Sequence, residues 1–299
     1  MTDPESMADL LAPYVAMDRR HALMSGIALP DRSSGAVLLA DIAGFTPLTA
    51  ALADALGPRR GAEELTRLLN RVYTALVSRV HHFGGSVVCF IGDALVSYYG
   101  GDAGLRAVAS ALQMQRQMKE FQMMRAPHGG RVSLAMKAAI AAGPVRRFLI
   151  GDADAQHLDV LAGTTVDRLS DAEHAAERGE VIVSPEVASA VGSELVIDGW
   201  RGPFGVVGGI RGSIEPVPWD DASPAVAVEQ LEAFVLPAVH DRIASGQGEY
   251  LAELRPVVAI FLEFEVSPTT RTTRSAIAST RSPPGFSTWS CATAATCSY

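Results

Sequence analysis

The sequence has few cysteines, few aromatic residues and no long uninterrupted apolar run. Three of its 299 residues are cysteines, and Cys89, Cys291 and Cys297 have no partners at metal-ligand spacing, so we expect no disulfide framework. No stretch reaches the roughly 20 apolar residues of a membrane span, and the N-terminus lacks the basic and then apolar order of a signal peptide. We therefore expect a cytoplasmic protein with no membrane partner.

Positive charge is also scarce. The chain has 25 lysines and arginines against 33 aspartates and glutamates, which gives a formal net charge of −8. This balance argues against a broad electropositive surface, so we expect no nucleic-acid partner. Arg146 and Arg147 follow a strand pattern, and we expect them in a solvated turn, with a phosphate contact as the alternative.

Short β-rich runs and long amphipathic helices make up most of the sequence. A short buried strand ends at Asp41 and leads at once into a helix start. Residues 61–83 predict a long helix with one buried face, and two β-rich runs after it predict a hairpin with Asp93 at its tip. This mixture predicts an α+β fold, with helices packed on a mostly antiparallel sheet, and a doubly wound Rossmann sheet is the alternative.

Two aspartates at strand ends are the candidate catalytic residues. Asp41 precedes a helix whose first backbone N–H groups are available to hold phosphate, and Asp93 lies in a Gly-Asp turn. Taken alone, Asp41 also fits a helix cap and Asp93 an ordinary tight turn. Together, on adjacent strand ends, the two carboxylates can share two Mg²⁺ ions, which phosphoryl chemistry on a triphosphate needs.

The motifs LLADIAGFTPLT and GGSVVCFIGDALVSYY, in this order, resemble those of a class III adenylyl/guanylyl cyclase catalytic domain. The resemblance implies a ferredoxin-like α+β sandwich that pairs head to tail with a second cyclase domain and binds ATP or GTP between the two. It places two Mg²⁺ or Mn²⁺ ions on Asp41 and Asp93. The implied metal and triphosphate turn, in which Ile42 is a third metal ligand, consists of Ile42, Ala43, Gly44, Phe45 and Thr46.

Three positions depart from the pattern of that family. Members that recognise the purine carry a lysine where this chain has Cys89, which cannot make the contact. The family also uses an asparagine and, four residues later, an arginine to stabilise the transition state. This chain has Asp167 and Asp171 there, and both would repel a polyphosphate. These departures resemble the first, metal-binding half of a two-cyclase-domain bacterial protein.

We predict five segments along the chain. Residues 1–32 form a lead-in, 33–213 the cyclase-like domain and 214–253 a linker and helix. Residues 254–265 contain RPVVAIFLEFE and resemble the first strand of a truncated second cyclase-like domain. Residues 266–299 are a low-complexity tail rich in Ser, Thr and Arg, which we expect to be disordered and interpret as a truncation or reading-frame artefact. Sequencing the coding region in all frames tests this interpretation.

Two functions remain open from the sequence. The first is an enzyme half that converts ATP to cyclic AMP and pyrophosphate in intracellular signalling by attack of the ribose 3′-hydroxyl on the α-phosphate, and that is weak or inactive alone. The second is a catalytically inactive module that binds nucleotide or mediates regulatory dimerisation. A homodimer would carry the metal aspartates in both sites and neither the purine lysine nor the transition-state arginine.

Overall fold

The computed structural model describes residues 4–121, 124–125, 131–152, 155–219 and 226–246. The predicted strand in 254–265, the tail 266–299 and the end of the predicted segment 214–253 lie outside the described residues. No helix in the described ranges is long and apolar enough to cross a membrane.

The secondary structure alternates helices and strands. The helices are α1 (Pro4–Leu11), α2 (Met17–Ser25), α3 (Phe45–Leu56), α4 (Pro58–His82), α5 (Leu105–Met118), α6 (Thr164–Ala175), α7 (Pro185–Val191), α8 (Val228–Glu232) and α9 (Pro237–Ala244). The strands are β1 (Arg32–Ala43), β2 (Ser86–Ile91), β3 (Ala94–Gly100), β4 (Met124–Arg125), β5 (Arg131–Val132), β6 (Ala135–Asp152), β7 (Gln156–Ala162), β8 (Val181–Val183), β9 (Leu195–Arg201) and β10 (Phe204–Ile210).

One mixed, open sheet organises the fold. Its strand order is β2-β3-β1-β6-β8-β10-β9, and β7 pairs with the second half of β6. Strand β6 runs parallel to β8, whereas the other strand pairs in the described part are antiparallel. The predicted α+β fold is confirmed. The doubly wound alternative is wrong, because that topology requires a mostly parallel sheet.

Apolar side chains cover both faces of the sheet. On one face, helices α3, α4, α5 and α7 bury a large core that includes Leu38 and Ile42 of β1. On the other face, helix α6 packs against Val37 and Leu39 of the same strand. Since side chains alternate between the faces of a strand, Asp41 lies on the α6 face with Val37 and Leu39.

The predicted lead-in and linker segments pack against each other. Apolar side chains of α1 and the turn after it share a small core with α8 and α9. The backbone N–H of His157 on β7 donates a hydrogen bond of 2.6 Å to the carbonyl of Ala233. The helix that the sequence predicts after the linker is two helices, because Pro237 starts a new one. Residues from both ends of the described chain therefore meet at β7.

The adjacent arginines do not lie in a solvated turn, so that expectation was wrong. Both are inside β6, which extends to Asp152 because β7 pairs with it. The side chain of Arg147 is 4% exposed and forms ion pairs with Asp18 of α2 and Asp159 of β7. Burial opposes the charged form of Arg147, but the two carboxylates outweigh it and raise the pKa of this guanidinium.

Candidate active site

The two predicted catalytic aspartates lie at the same end of the sheet. Asp41 lies two residues before the end of β1, which continues past the predicted end because β6 pairs with it to Ala43; the register partners of Asp41 are Ala94 on β3 and Lys137 on β6. Asp93 directly precedes Ala94, in the turn between β2 and β3. Because β1 and β3 are antiparallel neighbours, the turn that carries Asp93 meets the end of β1 that carries Asp41. The predicted hairpin with Asp93 at its tip is confirmed.

The turn after Asp41 depends on Gly44. This residue has φ = +113°, and an added Cβ would lie 2.5 Å from the carbonyl oxygen of Ser133. Only glycine accepts both the positive φ and this approach. Helix α3 starts at the next residue, Phe45, so the first N–H groups of the helix, which the helix itself does not pair, lie directly after the end of β1. Within the predicted turn, the Ile42 side chain is buried and Thr46 is exposed.

Aromatic contacts hold the two site segments together. The Tyr73 ring of α4 stacks on Phe45 at 6.3 Å between ring centroids and meets the edge of Phe90 at 5.3 Å. The Tyr73 hydroxyl also donates a hydrogen bond of 3.1 Å to the backbone carbonyl of Asp93. One side chain of α4 thus contacts both the turn after Asp41 and the hairpin of Asp93.

The carboxylate of Asp41 lies among other charges. Burial raises its pKa first, the negative charges of Asp93 and Glu173 raise it further, and Lys137 lowers it in part. The Lys137 Nζ is 2.5 Å from a carboxylate oxygen of Glu173 and 3.6 Å from Asp41 Oδ2. Burial disfavours the charged lysine, but Glu173 and Asp41 outweigh it and raise the pKa of Lys137.

Lys137 and Glu173 were not predicted as site residues. Lys137 is one of two lysines in the chain and interrupts an otherwise apolar strand sequence, AMKAAIAA, which is a usable signal. Glu173 lies one turn after the buried Leu169, on the stripe of α6 that faces the sheet. Their partners are separated from them by tens of residues in sequence, so the sheet register and the packing of α6 on the sheet bring the three charges together.

The oxygen ligands at this edge suit a hard divalent cation. Mg²⁺ is usually held by one or two protein carboxylates and by substrate phosphates, not by a complete protein cage. Among the described residues, no three His, Cys, Asp or Glu side chains form a metal-binding group. Asp41 and Asp93, with a nearby main-chain carbonyl such as that of Ile42, therefore offer part of the coordination shell of a divalent cation and leave positions for phosphate oxygens.

Comparison with known proteins identifies the family of this chain. A profile of the adenylate and guanylate cyclase catalytic domain matches residues 30–214. The chain belongs to this family. The match covers almost the same residues as the predicted cyclase-like segment 33–213. The narrower assignment to the first half of a two-domain bacterial cyclase remains a prediction.

Individual cyclases are also similar to this chain. Adenylate cyclase type 10 of Oryctolagus cuniculus is 27% identical over 191 residues, which are 62% of this chain and 12% of that protein. The solved guanylyl cyclase Cya2 is 21% identical, has a TM-score of 0.49, and covers 66% of this chain and 98% of its own. The adenylyl cyclase CyaB from P. aeruginosa is 23% identical, has a TM-score of 0.45, and covers 64% of this chain and 97% of its own.

Cys89 of this cyclase domain lies in β2, four residues before Asp93. It lines a small, mostly apolar cavity between β1, β2, β7 and α6, together with Asp159 and Ser170. Asp159 accepts hydrogen bonds from Arg147 at 3.0 Å and from Arg19 at 2.5 and 3.1 Å. The carboxylate that faces this cavity is thus already neutralised by two arginines from the same chain.

The other two departures of the cyclase domain, Asp167 and Asp171, are exposed on α6. They are four residues apart and so lie on one side of this helix. Helix α6 starts beside Pro144, whose carbonyl oxygen accepts a hydrogen bond of 2.8 Å from the Thr165 hydroxyl. Pro144 is seven residues along β6 from Lys137, so the start of α6 lies roughly 23 Å from the metal-site end. Because the last turn of α6 contacts Lys137, the helix runs from its start toward that end, and Asp171 lies closer to the metal-site end than Asp167 does.

Proposed function

We propose that this chain is the metal-binding half of a cyclase active centre, which converts ATP to cyclic AMP and pyrophosphate with two Mg²⁺ or Mn²⁺ ions. The observation that carries the proposal is the position of Asp41 and Asp93 at one edge of the sheet, beside the glycine turn that starts α3. Two carboxylates beside a helix N-terminus suit a metal–triphosphate complex.

Each residue of this edge has a definable task. Asp41, Asp93 and the Ile42 carbonyl would hold the ions, which when bound activate the ribose 3′-hydroxyl and neutralise charge on the phosphates. Gly44 would let the backbone N–H groups at the start of α3 approach the triphosphate, with Ala43, Phe45 and Thr46 completing the turn. The partly exposed ammonium group of Lys137 would add positive charge beside the polyphosphate.

The same chain lacks groups that a complete centre would need. Cys89 cannot supply the hydrogen bond of a lysine to a purine, and Asp167 and Asp171 add negative charge where a transition state would need positive charge. The carboxylate beside Cys89 is occupied by Arg19 and Arg147. We therefore propose that a second cyclase domain, in cis or in trans, pairs head to tail with this one and supplies these groups.

The similarity to adenylate cyclase type 10 supports ATP over GTP as the nucleotide. Because the chain matches about a tenth of the length of such relatives, the activity of a whole protein of that kind is not transferred to this chain. Its role in intracellular cyclic-nucleotide signalling is part of the proposal.

The test is cyclic AMP and cyclic GMP production by the purified chain with Mn²⁺ or Mg²⁺. Asp41→Ala and Asp93→Ala are the matched variants. We expect little turnover from the chain alone and metal-dependent nucleotide binding that both substitutions abolish. Metal-dependent binding that survives both substitutions would place the metal elsewhere and refute the proposal.

A regulatory module without catalysis is the second candidate. It is favoured by the apolar cavity at Cys89, in which the charged lining residue Asp159 is already paired. Such a module would bind nucleotide or a second cyclase domain. It would produce no cyclic nucleotide even when that second domain supplies the lysine, the asparagine and the arginine. Mixing this chain with a variant that carries those three groups, and measuring cyclic AMP, separates the two candidates.

A further inference from the structure

Glu173 and Asp41 share one lysine. The Lys137 ammonium is 2.5 Å from Glu173 and 3.6 Å from Asp41, so its close ion pair is with the helix and not with the strand. All three side chains are largely shielded from solvent, with 14% of Glu173, 23% of Lys137 and 25% of Asp41 exposed. At these separations a difference of about 1 Å matters, because a cation in direct contact with a carboxylate takes up the oxygens that a metal would use.

The strand register keeps the Lys137 side chain beside Asp41. The two residues are register partners on adjacent antiparallel strands, so their side chains leave the sheet side by side on the α6 face. Lysine has a flexible four-carbon stem with a compact charge, which will settle on the best acceptor within reach. Without a second acceptor, that would be Asp41.

Helix α6 fixes the second acceptor. Leu169 and Ala172 are buried against the sheet, which holds the following turn of α6 in place over β6. Glu173 therefore presents its carboxylate to Lys137 from a packed element. Its other carboxylate oxygen is 3.7 Å from the exposed His174 ring.

We propose that Glu173 is a positioning residue that holds the Lys137 ammonium away from Asp41 and so keeps the Asp41 carboxylate available to a divalent cation. This inference rests on the proposed function, because it assumes that Asp41 is a metal ligand. It assigns Glu173 an effect on metal binding through Lys137 and not through its own negative charge. The two effects predict different results in a variant without Lys137: an effect through the lysine disappears there, whereas an effect of the charge of Glu173 remains.

The experiment is a titration of the full chain with Mn²⁺, without nucleotide, in which free Mn²⁺ is measured by its electron paramagnetic resonance signal. The variants are Glu173→Gln, Lys137→Met, the double variant, and Asp41→Asn. We expect Glu173→Gln to raise the Mn²⁺ dissociation constant about fivefold, and to change it less than about twofold when Lys137 is already methionine. Thermal unfolding of each apo variant verifies that the fold persists.

Three results would count against the inference, and they are distinguishable. An equal loss of affinity from Glu173→Gln with and without Lys137 would show that Glu173 acts by its own charge. Wild-type affinity in Glu173→Gln, with a loss in Asp41→Asn, would remove the inference and leave the proposed function intact. Equal Mn²⁺ binding by wild type and Asp41→Asn would remove the metal site itself and thereby the proposed function.

Discussion

Arg19 of α2 donates two hydrogen bonds to Asp159 of β7, at 2.5 and 3.1 Å, across 140 residues of sequence. Asp159 also accepts a hydrogen bond from Arg147, which in turn pairs with Asp18. All of these side chains are largely buried, and both arginines and both aspartates find partners within the group. The helix before the cyclase domain is therefore attached to its sheet by buried ion pairs.

Arg19→Ala should destabilise the protein more than a surface arginine would. Removing one partner of a buried ion pair leaves the other charge less compensated, which costs about 2–3 kcal/mol here because Arg147 still contacts Asp159. Equilibrium unfolding in urea measures the change in the free energy of unfolding. Arg59→Ala, whose side chain is 93% exposed, is the control and should change stability by less than about 0.5 kcal/mol. Equal effects of the two substitutions would mean that the attachment of α2 contributes nothing.

Acidification should destabilise the protein through His81. Burial, and then the positive charge of Arg20, lower the pKa of this histidine to about 4. Because the unfolded chain binds a proton at about pH 6.5 and the folded one does not, stability is lost as the pH falls from about 6.5 to 4, by up to about 3 kcal/mol. Urea unfolding across this range should show a flatter pH dependence in His81→Gln.

The exposed His174 provides the control for that measurement. His174→Gln should leave the pH dependence of unfolding as in wild type. If His81→Gln and wild type lose stability in parallel between pH 6.5 and 4.5, His81 is accessible to protons in the folded state and the prediction is wrong.

Sequence patterns predicted the local parts of the site better than the distant ones. Asp41 and Asp93 each stand in a turn whose signals lie within a few residues, and the order of strands and helices around them is confirmed. Lys137 and Glu173 are brought to Asp41 by the β1–β6 register and by the packing of α6. The lysine stands out in an apolar strand sequence, but no local pattern shows which residues it contacts. Contacts of this kind depend on the tertiary fold.

The same distinction explains the errors outside the site. Arg147 follows a strand pattern, and its burial depends on Asp18, 129 residues earlier in the chain. The hairpin of β9 and β10 was not predicted, since its glycine-rich sequence, with Gly199, Gly205 and Gly208, weakens the alternation that marks a strand. The contact of the lead-in with α8 and α9 joins segments about 200 residues apart.

Gly44→Ala should disturb the site more than an alanine at another positive-φ glycine. The new Cβ would lie 2.5 Å from the Ser133 carbonyl, so the turn after Asp41 must move. Gly57→Ala is the matched control, because Gly57 has φ = +78° and no other atom within 4 Å of the added Cβ. Both variants should lose roughly 1 kcal/mol from backbone strain, and Gly44→Ala in addition should lose metal-dependent nucleotide binding. Nucleotide binding measured by calorimetry with Mn²⁺ distinguishes them, and equal binding by both variants would contradict a role for the turn.

Mixing two complementary chains should produce activity that neither has alone. One chain is wild type and supplies Asp41 and Asp93. The other carries Asp41→Ala and Asp93→Ala together with Cys89→Lys, Asp167→Asn and Asp171→Arg. In a head-to-tail pair, one of the two sites then has the metal carboxylates from the first chain and the purine and transition-state groups from the second. We expect cyclic AMP production at least about tenfold above either chain alone, with a maximum near equal amounts.

A second mixture controls for the loss of metal ligands. Its partner chain carries Asp41→Ala and Asp93→Ala but keeps Cys89, Asp167 and Asp171, so no site in any pairing is complete, and it should remain at the level of wild type alone. Sedimentation measurements on both mixtures establish that the chains pair. Paired chains that stay inactive in the first mixture would refute the half-site proposal and leave the regulatory module, because every group that the proposal requires would then be present in one site.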